Sequence, residues 1–372
     1  MRFGHMSFKA ALLGSIAGTA MLATATASMA GGFEVREQSA HFQGMSFAGA
    51  ASGGALSSMF WNSAAAISAG PGLTFDSSYS LIIPQSDLTV TGLGAPNTFL
   101  PGTGALDRTI EIGELAIVPA TYAALRTSAS TVFAIGMNSQ FGLGTRPDNE
   151  ASVASVHTGP AKLFSINLNP TVAHTIMPGV TVGVGMMFEY FDLQRFRTST
   201  APGREPNAKL NGSDIGVGGT AGILLQPAAG TTIGLGYRST ISHSLEGKIR
   251  SPGLNAPIDA HLNTPDKVTL SLSQALSPSM RAHATVEWTN WSRLGVIPIT
   301  LEAAPTVTIS NLDFQWKDGW YYAIGGEYDV SPALTVRAGV AYETSPIDRP
   351  SARLLQLPDN DRIWASLGAS YK

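Results

Sequence analysis

Strict alternation of apolar with small or polar residues, repeated along most of the chain, limits what this sequence can become. In residues 180–191, Val180, Val182, Val184, Met186, Phe188 and Tyr190 share one face. Thr181, Gly183, Gly185, Met187, Glu189 and Phe191 share the other. Successive strand side chains point to opposite sides, so this is a strand with one greasy face. A helix needs apolar residues three and four apart, and the pattern breaks that rule. The signature returns at Ile233, Leu235 and Tyr237, at Val268, Leu270 and Leu272, and at Ala282, Ala284, Val286 and Trp288. It returns again at Leu334, Val336, Ala338, Val340 and Tyr342, and at Ile363, Ala365, Leu367, Ala369 and Tyr371. Each run is close to the ~9–11 residues that cross a bilayer at a tilt.

A soluble β-sandwich alternates too. Two features favour lipid over water. Tyr190, Tyr237, Trp288, Tyr342 and Tyr371 lie near the ends of greasy faces, where interfacial girdles belong. The opposite faces mix Gly, Ser and Thr with Arg, His and Glu, as a wet or plugged lumen requires. Charged residues are 13% of the chain, about half the usual ~25%. After residue 30 no run approaches the ~20 apolar residues of a membrane helix. In hydrocarbon every backbone polar group must pair internally, so such strands have to close on themselves. The expected fold is all-β, a transmembrane antiparallel barrel. There is no cysteine, which excludes thiolate metal sites and cysteine nucleophiles. With a net charge of −3 and no dense basic run, nucleic acid is not an expected partner.

The ends divide the chain. Residues 1–30 read as a signal peptide: Arg2 and Lys9, an uncharged Ala- and Leu-containing stretch, then Ser28-Met29-Ala30 before Gly31. Residues 31–71 do not alternate; they are rich in Ala, Ser and Gly, and suit a plug or hatch covering the lumen. Residues 72–372 make the barrel. Ser277-Pro278 and Ser331-Pro332 read as tight turns, and residues 198–211 and 251–266 as longer surface loops.

The start Gly32-Phe33-Glu34-Val35-Arg36-Glu37-Gln38-Ser39, then Phe47-Ala48-Gly49, then Asn62-Ser63-Ala64 after Phe60-Trp61, resembles the FadL/TodX family of outer-membrane transport proteins. So do Asn138-Ser139-Gln140-Phe141-Gly142-Leu143, Tyr237-Arg238-Ser239, Glu287-Trp288-Thr289-Asn290-Trp291-Ser292, Trp316-Lys317-Asp318-Gly319-Trp320, Tyr342-Glu343-Thr344-Ser345-Pro346 and the last eleven-residue element from Pro358 to Gly368, in the same order. Two departures stand out. Ser63 replaces the family's hatch proline, whose φ would be fixed, and the chain ends Tyr371-Lys372 where the family ends on an aromatic residue. The resemblance implies about 14 strands with the N-terminal hatch inside. It implies an outer-membrane channel taking up hydrophobic molecules, long-chain fatty acids first, by ligand binding and lateral diffusion through the wall at a kink in the third strand, near residues 130–141. Aromatic hydrocarbon uptake and a general diffusion porin are the alternatives, and a barrel enzyme is a third reading that no nucleophile–base pair supports.

The expected site follows from this resemblance. Asn62, Ser63 and Ala64 form the hatch motif, Asn62 capping its own turn. Phe33, Phe42, Met45, Phe47, Met59 and Phe60 are candidate pocket walls. Arg195, Arg197, Arg238 and Lys317 are candidates to hold a carboxylate. Gly136, Asn138 and Phe141 mark the lateral-opening strand. No cofactor or metal is expected; no histidine pair has metal spacing, and Gly216-Val217-Gly218-Gly219 lies in an alternating strand rather than before a helix. The expected partners are a hydrophobic ligand, outer-membrane lipid and lipopolysaccharide, with the protein acting as a monomer.

Overall fold

The computed structural model describes residues 31–89, 109–149, 159–198, 208–349, 354, 356–357 and 359–372. The leader expected at 1–30 lies outside these residues, as does Pro358. Nineteen strands occupy them: β1 (Leu73–Ile82), β2 (Asp87–Thr89), β3 (Thr109–Glu111), β4 (Ala116–Arg126), β5 (Thr131–Asn138), β6 (Gly142–Thr145), β7 (Ala161–Met177), β8 (Val180–Thr198), β9 (Ala208–Ala228), β10 (Thr231–Arg238), β11 (Ser242–Ser251), β12 (Leu254–Asn263), β13 (Lys267–Ser277), β14 (Met280–Thr289), β15 (Val296–Leu301), β16 (Ala304–Asp313), β17 (Gly319–Asp329), β18 (Leu334–Glu343) and β19 (Arg362–Tyr371).

Every strand pairing is antiparallel. The strands stand side by side as staves: β1, β4, β5 with β6, β7, β8, β9, β10 with β11, β13 with β12, β14 with β15, β17 with β16, β18 and β19. The described residues thus trace twelve staves, an even number as in other bacterial barrels, where the resemblance implied about fourteen. The residues ahead of β1 touch both ends of this ladder. Gln43 Oε1 accepts from Ser80 Oγ on β1 at 3.0 Å, and Gly44 lies against Gly368 on β19. The sheet therefore curls round the N-terminal segment as a barrel wall.

The lower staves present their apolar faces outward, as the alternation required. Val184, Met186, Phe188 and Tyr190 are exposed while Met187, Glu189 and Phe191 are buried, and Ile324 is 64% exposed. Such a belt is costly in water and at home in hydrocarbon. The small inward face is close-packed. It seats the N-terminal segment so closely that a Cβ on Gly222 would overlap Asn62 Oδ1, and one on Gly234 would overlap the Ala51 carbonyl.

Higher up, the chemistry inverts. On β10, Leu235 and Tyr237 face out and Gly234, Gly236 and Arg238 face in. Across the break at residues 239–241 the parity flips, so that His243, Leu245 and Ile249 of β11 face in while Ser244, Glu246 and Arg250 face out. Similar breaks fall at 139–141 between β5 and β6, at 264–266 between β12 and β13, and at 314–318 between β16 and β17. On β8 a bulge between Leu193 and Phe196, with Arg195 at φ +55°, does the same work inside a continuous strand. One residue out of register exchanges the two faces of a strand, and bulges re-aim side chains. Below the breaks apolar groups face lipid. Above them apolar groups face the interior.

This inversion corrects one expectation. Residues 251–266 are not a long loop: β11 and β12 form a hairpin turning at residues 252–253, and only 264–266 leave the ladder. Their polar look reflects outward Asn255 and His261 over inward Ile258, Ala260 and Leu262, the sign of a wall risen into water. The tight turns after β13 and β17 are as expected. We predict that Ile324→Arg destabilises folding into lipid vesicles by about 2–4 kcal/mol if it sits at the bilayer midplane, read from urea titration. An unchanged midpoint would place that face out of lipid.

Candidate functional site

Above the breaks, the inward apolar side chains leave a small cavity of about 30 Å³, lined by Phe33, Leu163, Phe191, Leu193, Phe196, Leu245, Leu262, Ile297, Leu312, Phe314 and Leu357. Every lining residue is Phe, Leu or Ile. Phe33 forms the floor, edge-on to Phe141 at 5.5 Å and Trp291 at 4.9 Å and tilted against Trp316 at 5.9 Å. Its neighbour below is polar. The His243 ring lies 5.2 Å from that of Phe191 and stands between Asp214 and Glu189.

The floor is also the seal of the broken third stave. Between β5 and β6 the ladder lapses at residues 139–141, and the N-terminal segment takes up the freed groups. Val35 N donates to Gln140 O at 2.8 Å, Gly142 N to Phe33 O at 2.9 Å, and Glu34 bridges Phe141. The Gln38 side chain grips the Ser139 backbone twice, donating from Nε2 to its carbonyl at 2.5 Å and accepting from its N–H at 3.2 Å. Beside this gap, Asn138 on β5 and its register partner Asn167 on β7 are buried, and neither side-chain amide makes a hydrogen bond.

The expected site residues divide. Phe33 and Phe141 meet at the cavity floor. Phe42, Met45, Phe47, Met59 and Phe60 lie elsewhere: all are buried in a separate cluster with Trp61, where the N-terminal segment packs on the lower staves. They do not line the cavity. Gly136 faces the Tyr122 ring on β4. The four cations do not converge. Arg195 and Lys317 are exposed. The Arg197 guanidinium lies against Gly159, and the Arg197 backbone N–H donates to Gln356 Oε1 at 2.8 Å. Only Arg238 is interior: it donates to Gln140 Oε1 at 3.1 Å and Phe60 O at 3.0 Å, stacks 4.4 Å over the Phe60 ring, and leaves Nη2 without a hydrogen bond.

The hatch motif behaves as a clasp. Asn62 Oδ1 accepts from Ala64 N at 3.0 Å, capping the 3₁₀ turn Ser63–Ser68, while Nδ2 donates to Ala51 O at 2.8 Å and Ile223 O at 3.0 Å. Ser63, in the proline's place, donates to Thr220 Oγ1 at 2.6 Å, a bond proline could not make. What the sequence did not single out is an ion cluster. Arg36 Nη1 donates to Glu287 Oε1 at 2.7 Å on β14, and Nη2 to Glu343 Oε1 at 3.0 Å on β18. Lys267 on β13 pairs with Glu34, and with Glu287 at 3.3 Å. The unusual density of charge in Glu34-Val35-Arg36-Glu37 was its one signal in the sequence. We predict that Asn62→Ala costs about 1–3 kcal/mol by stripping buried carbonyls of a donor. It should appear as a lower thermal midpoint and faster hydrogen exchange across residues 50–66, and unchanged exchange there would refute the clasp.

Residues 21–372 match the family model "Outer membrane protein transport protein (OMPP1/FadL/TodX)". The chain is 28% identical to outer membrane protein P1 of Haemophilus influenzae, over 96% of this chain and 86% of that one. It is 24% identical to a long-chain fatty acid transport protein of Escherichia coli O6:H1, over 98% and 89%. Among solved structures, a Pseudomonas aeruginosa FadL homologue superposes with a TM-score of 0.73 at 20% identity, covering 91% and 87% of the two chains. The Pseudomonas putida toluene transporter TodX gives 0.66 at 14% identity, covering 91% and 90%. A match over nearly the whole chain, on a wall built for lipid, leaves one conclusion: this chain belongs to the OMPP1/FadL/TodX family of outer-membrane transport barrels, which carry hydrophobic compounds and are not enzymes.

Proposed function

We propose that the protein takes up a neutral hydrophobic molecule of the monoaromatic hydrocarbon class, holding it in the apolar cavity and releasing it sideways through the third stave. The observation that carries this reading is the lining: among the described residues no cation and no hydrogen-bonding side chain borders the cavity, so a carboxylate bound against them would lose its hydration without replacement. A neutral ring loses little and gains contact with Phe33, Phe191 and Phe314. The relay is structural. Phe33 is both the floor of the cavity and, through its carbonyl accepting from Gly142 N, part of the seal at residues 139–141. A ligand that displaces Phe33 therefore pulls on the segment filling the gap. Below that gap the wall faces lipid, the natural destination for greasy cargo. One chain holds both cavity and gap, so we read it as working alone.

A second reading, long-chain fatty acid uptake, draws on Arg238, whose buried Nη2 has no hydrogen bond, and on the relatives named for fatty acid transport. The two separate in a transport assay. In a host lacking its own channel, radiolabelled toluene should enter faster on expression of this protein while oleate stays at background. Phe33→Ala should weaken toluene binding roughly tenfold, from about 1.5 kcal/mol of lost aromatic burial. Oleate entry abolished by Arg238→Gln would instead establish the fatty acid reading, and brisk sugar entry into proteoliposomes would overturn both.

A further inference from the structure

The first described residues end in an unfinished electrostatic arrangement. Gly31 is buried, and a Cβ added to it would overlap Glu343 Oε1. Next to it, Gly32 donates its N–H to Asp359, a residue only 3% exposed in the loop ahead of β19. Asp359 Oδ2 accepts from Ser345 Oγ at 2.6 Å, but Oδ1 has no hydrogen-bond partner. Burial pushes this carboxyl up to about 7, and neighbouring Glu343 adds to the rise against Ser345, Arg362 and the Gly32 amide. Glu343 is itself committed, to Arg36 at 3.0 Å and to Trp364 Nε1 at 3.1 Å. Two buried carboxylates thus lie against the first two described residues, Glu343 at Gly31 and Asp359 at Gly32, and one carboxylate oxygen is left over.

We propose that leader removal between Ala30 and Gly31 supplies the cation: the α-ammonium of Gly31 seats between Asp359 and Glu343 and latches the front of the N-terminal segment to the β18–β19 loop. In an uncleaved chain that nitrogen is an uncharged amide with thirty residues still attached ahead of it. Cleavage removes the bulk and adds a charge in the same step. The seat then pairs Asp359 and completes the charge pattern that Arg36 begins. It is independent of which ligand the cavity takes.

The test uses mature protein purified from outer membranes in detergent. Mass spectrometry of the N-terminal peptide identifies the first residue, and reductive dimethylation rates from pH 6 to 10 give the apparent pKa of its amine. An α-amine ordinarily titrates at ~7.7–8.0. An ion pair raises that value, whereas burial without a partner lowers it, so the sign discriminates a latch from mere enclosure. The other titratable groups facing the seat are Arg36, Glu37, Tyr321, Glu343, Asp361 and Arg362. We expect Gly31 as the first residue and an amine pKa at least one unit above the ordinary range, which is tenfold slower labelling at pH 7. Asp359→Asn should lower that pKa by about one unit. A different first residue, a wild-type value at or below the ordinary range, or no change in Asp359→Asn overturns the proposal. Should Asp359→Asn not fold to a heat-modifiable barrel, the wild-type value decides alone.

Discussion

A guanidinium with almost no access to water is tolerable only when its charge is matched on the spot, and Arg36 is matched by carboxylates from two separate staves, Glu287 and Glu343. Removing one member of such a set leaves an uncompensated buried charge, commonly several kcal/mol of destabilisation. The geometry therefore admits one placement of the N-terminal segment. Once Arg36 is fixed, Glu34 reaches Lys267, Phe33 reaches the cavity, and Val35 and Gln38 reach the lapse in the third stave. The cavity floor and the seal of the wall are consequences of one ionic anchor. Its Coulombic terms select a position more than they add stability, because each ion had to be stripped of water to get there.

The rest of the interior is arranged to leave that anchor undisturbed. Glycines on β9 and β10 give the segment's carbonyls room to approach the wall, and Asn62 uses that approach to reach the Ile223 carbonyl. Tyr122 and Tyr321 donate their hydroxyls to Gln38 O and Ser46 O at 3.0 Å and 2.8 Å, so turns of the segment that have no ladder of their own still find partners. Polar contacts thus hold the segment, and its aromatic side chains fill the volume between.

Lipid demands only apolarity at period two, a local property, so the lower strands were readable from single segments such as residues 180–191. The inward faces were harder. Gly, Ser and Thr fit a wet lumen as well as a close-packed seat, and only the position of residues 45–64 decides between them. Phe42, Met45, Phe47, Met59 and Phe60 were grouped with Phe33 because they share its composition and its stretch of chain. The structure parts them, since Phe33 stands above the breaks and the others below. Arg36 could not be assigned partners in advance: Glu287 and Glu343 lie 251 and 307 residues along the chain. The upper strands were missed where the alternation changed sense, with Ile258, Ala260 and Leu262 turned inward and polar residues looking like loop.

Breaks at similar height in several staves divide the wall into two storeys with separate obligations. The lower storey answers to the bilayer and to the N-terminal segment, and almost any change there is felt by one or the other. The upper storey answers to that segment only at its floor, Phe33. Its inner residues, among them Leu245, Leu262, Ile297 and Leu312, can exchange size and shape while the register below stays put. Selection for a new cargo could therefore proceed by repainting the upper room alone, and a family built on this plan can diversify what it admits faster than how it is assembled.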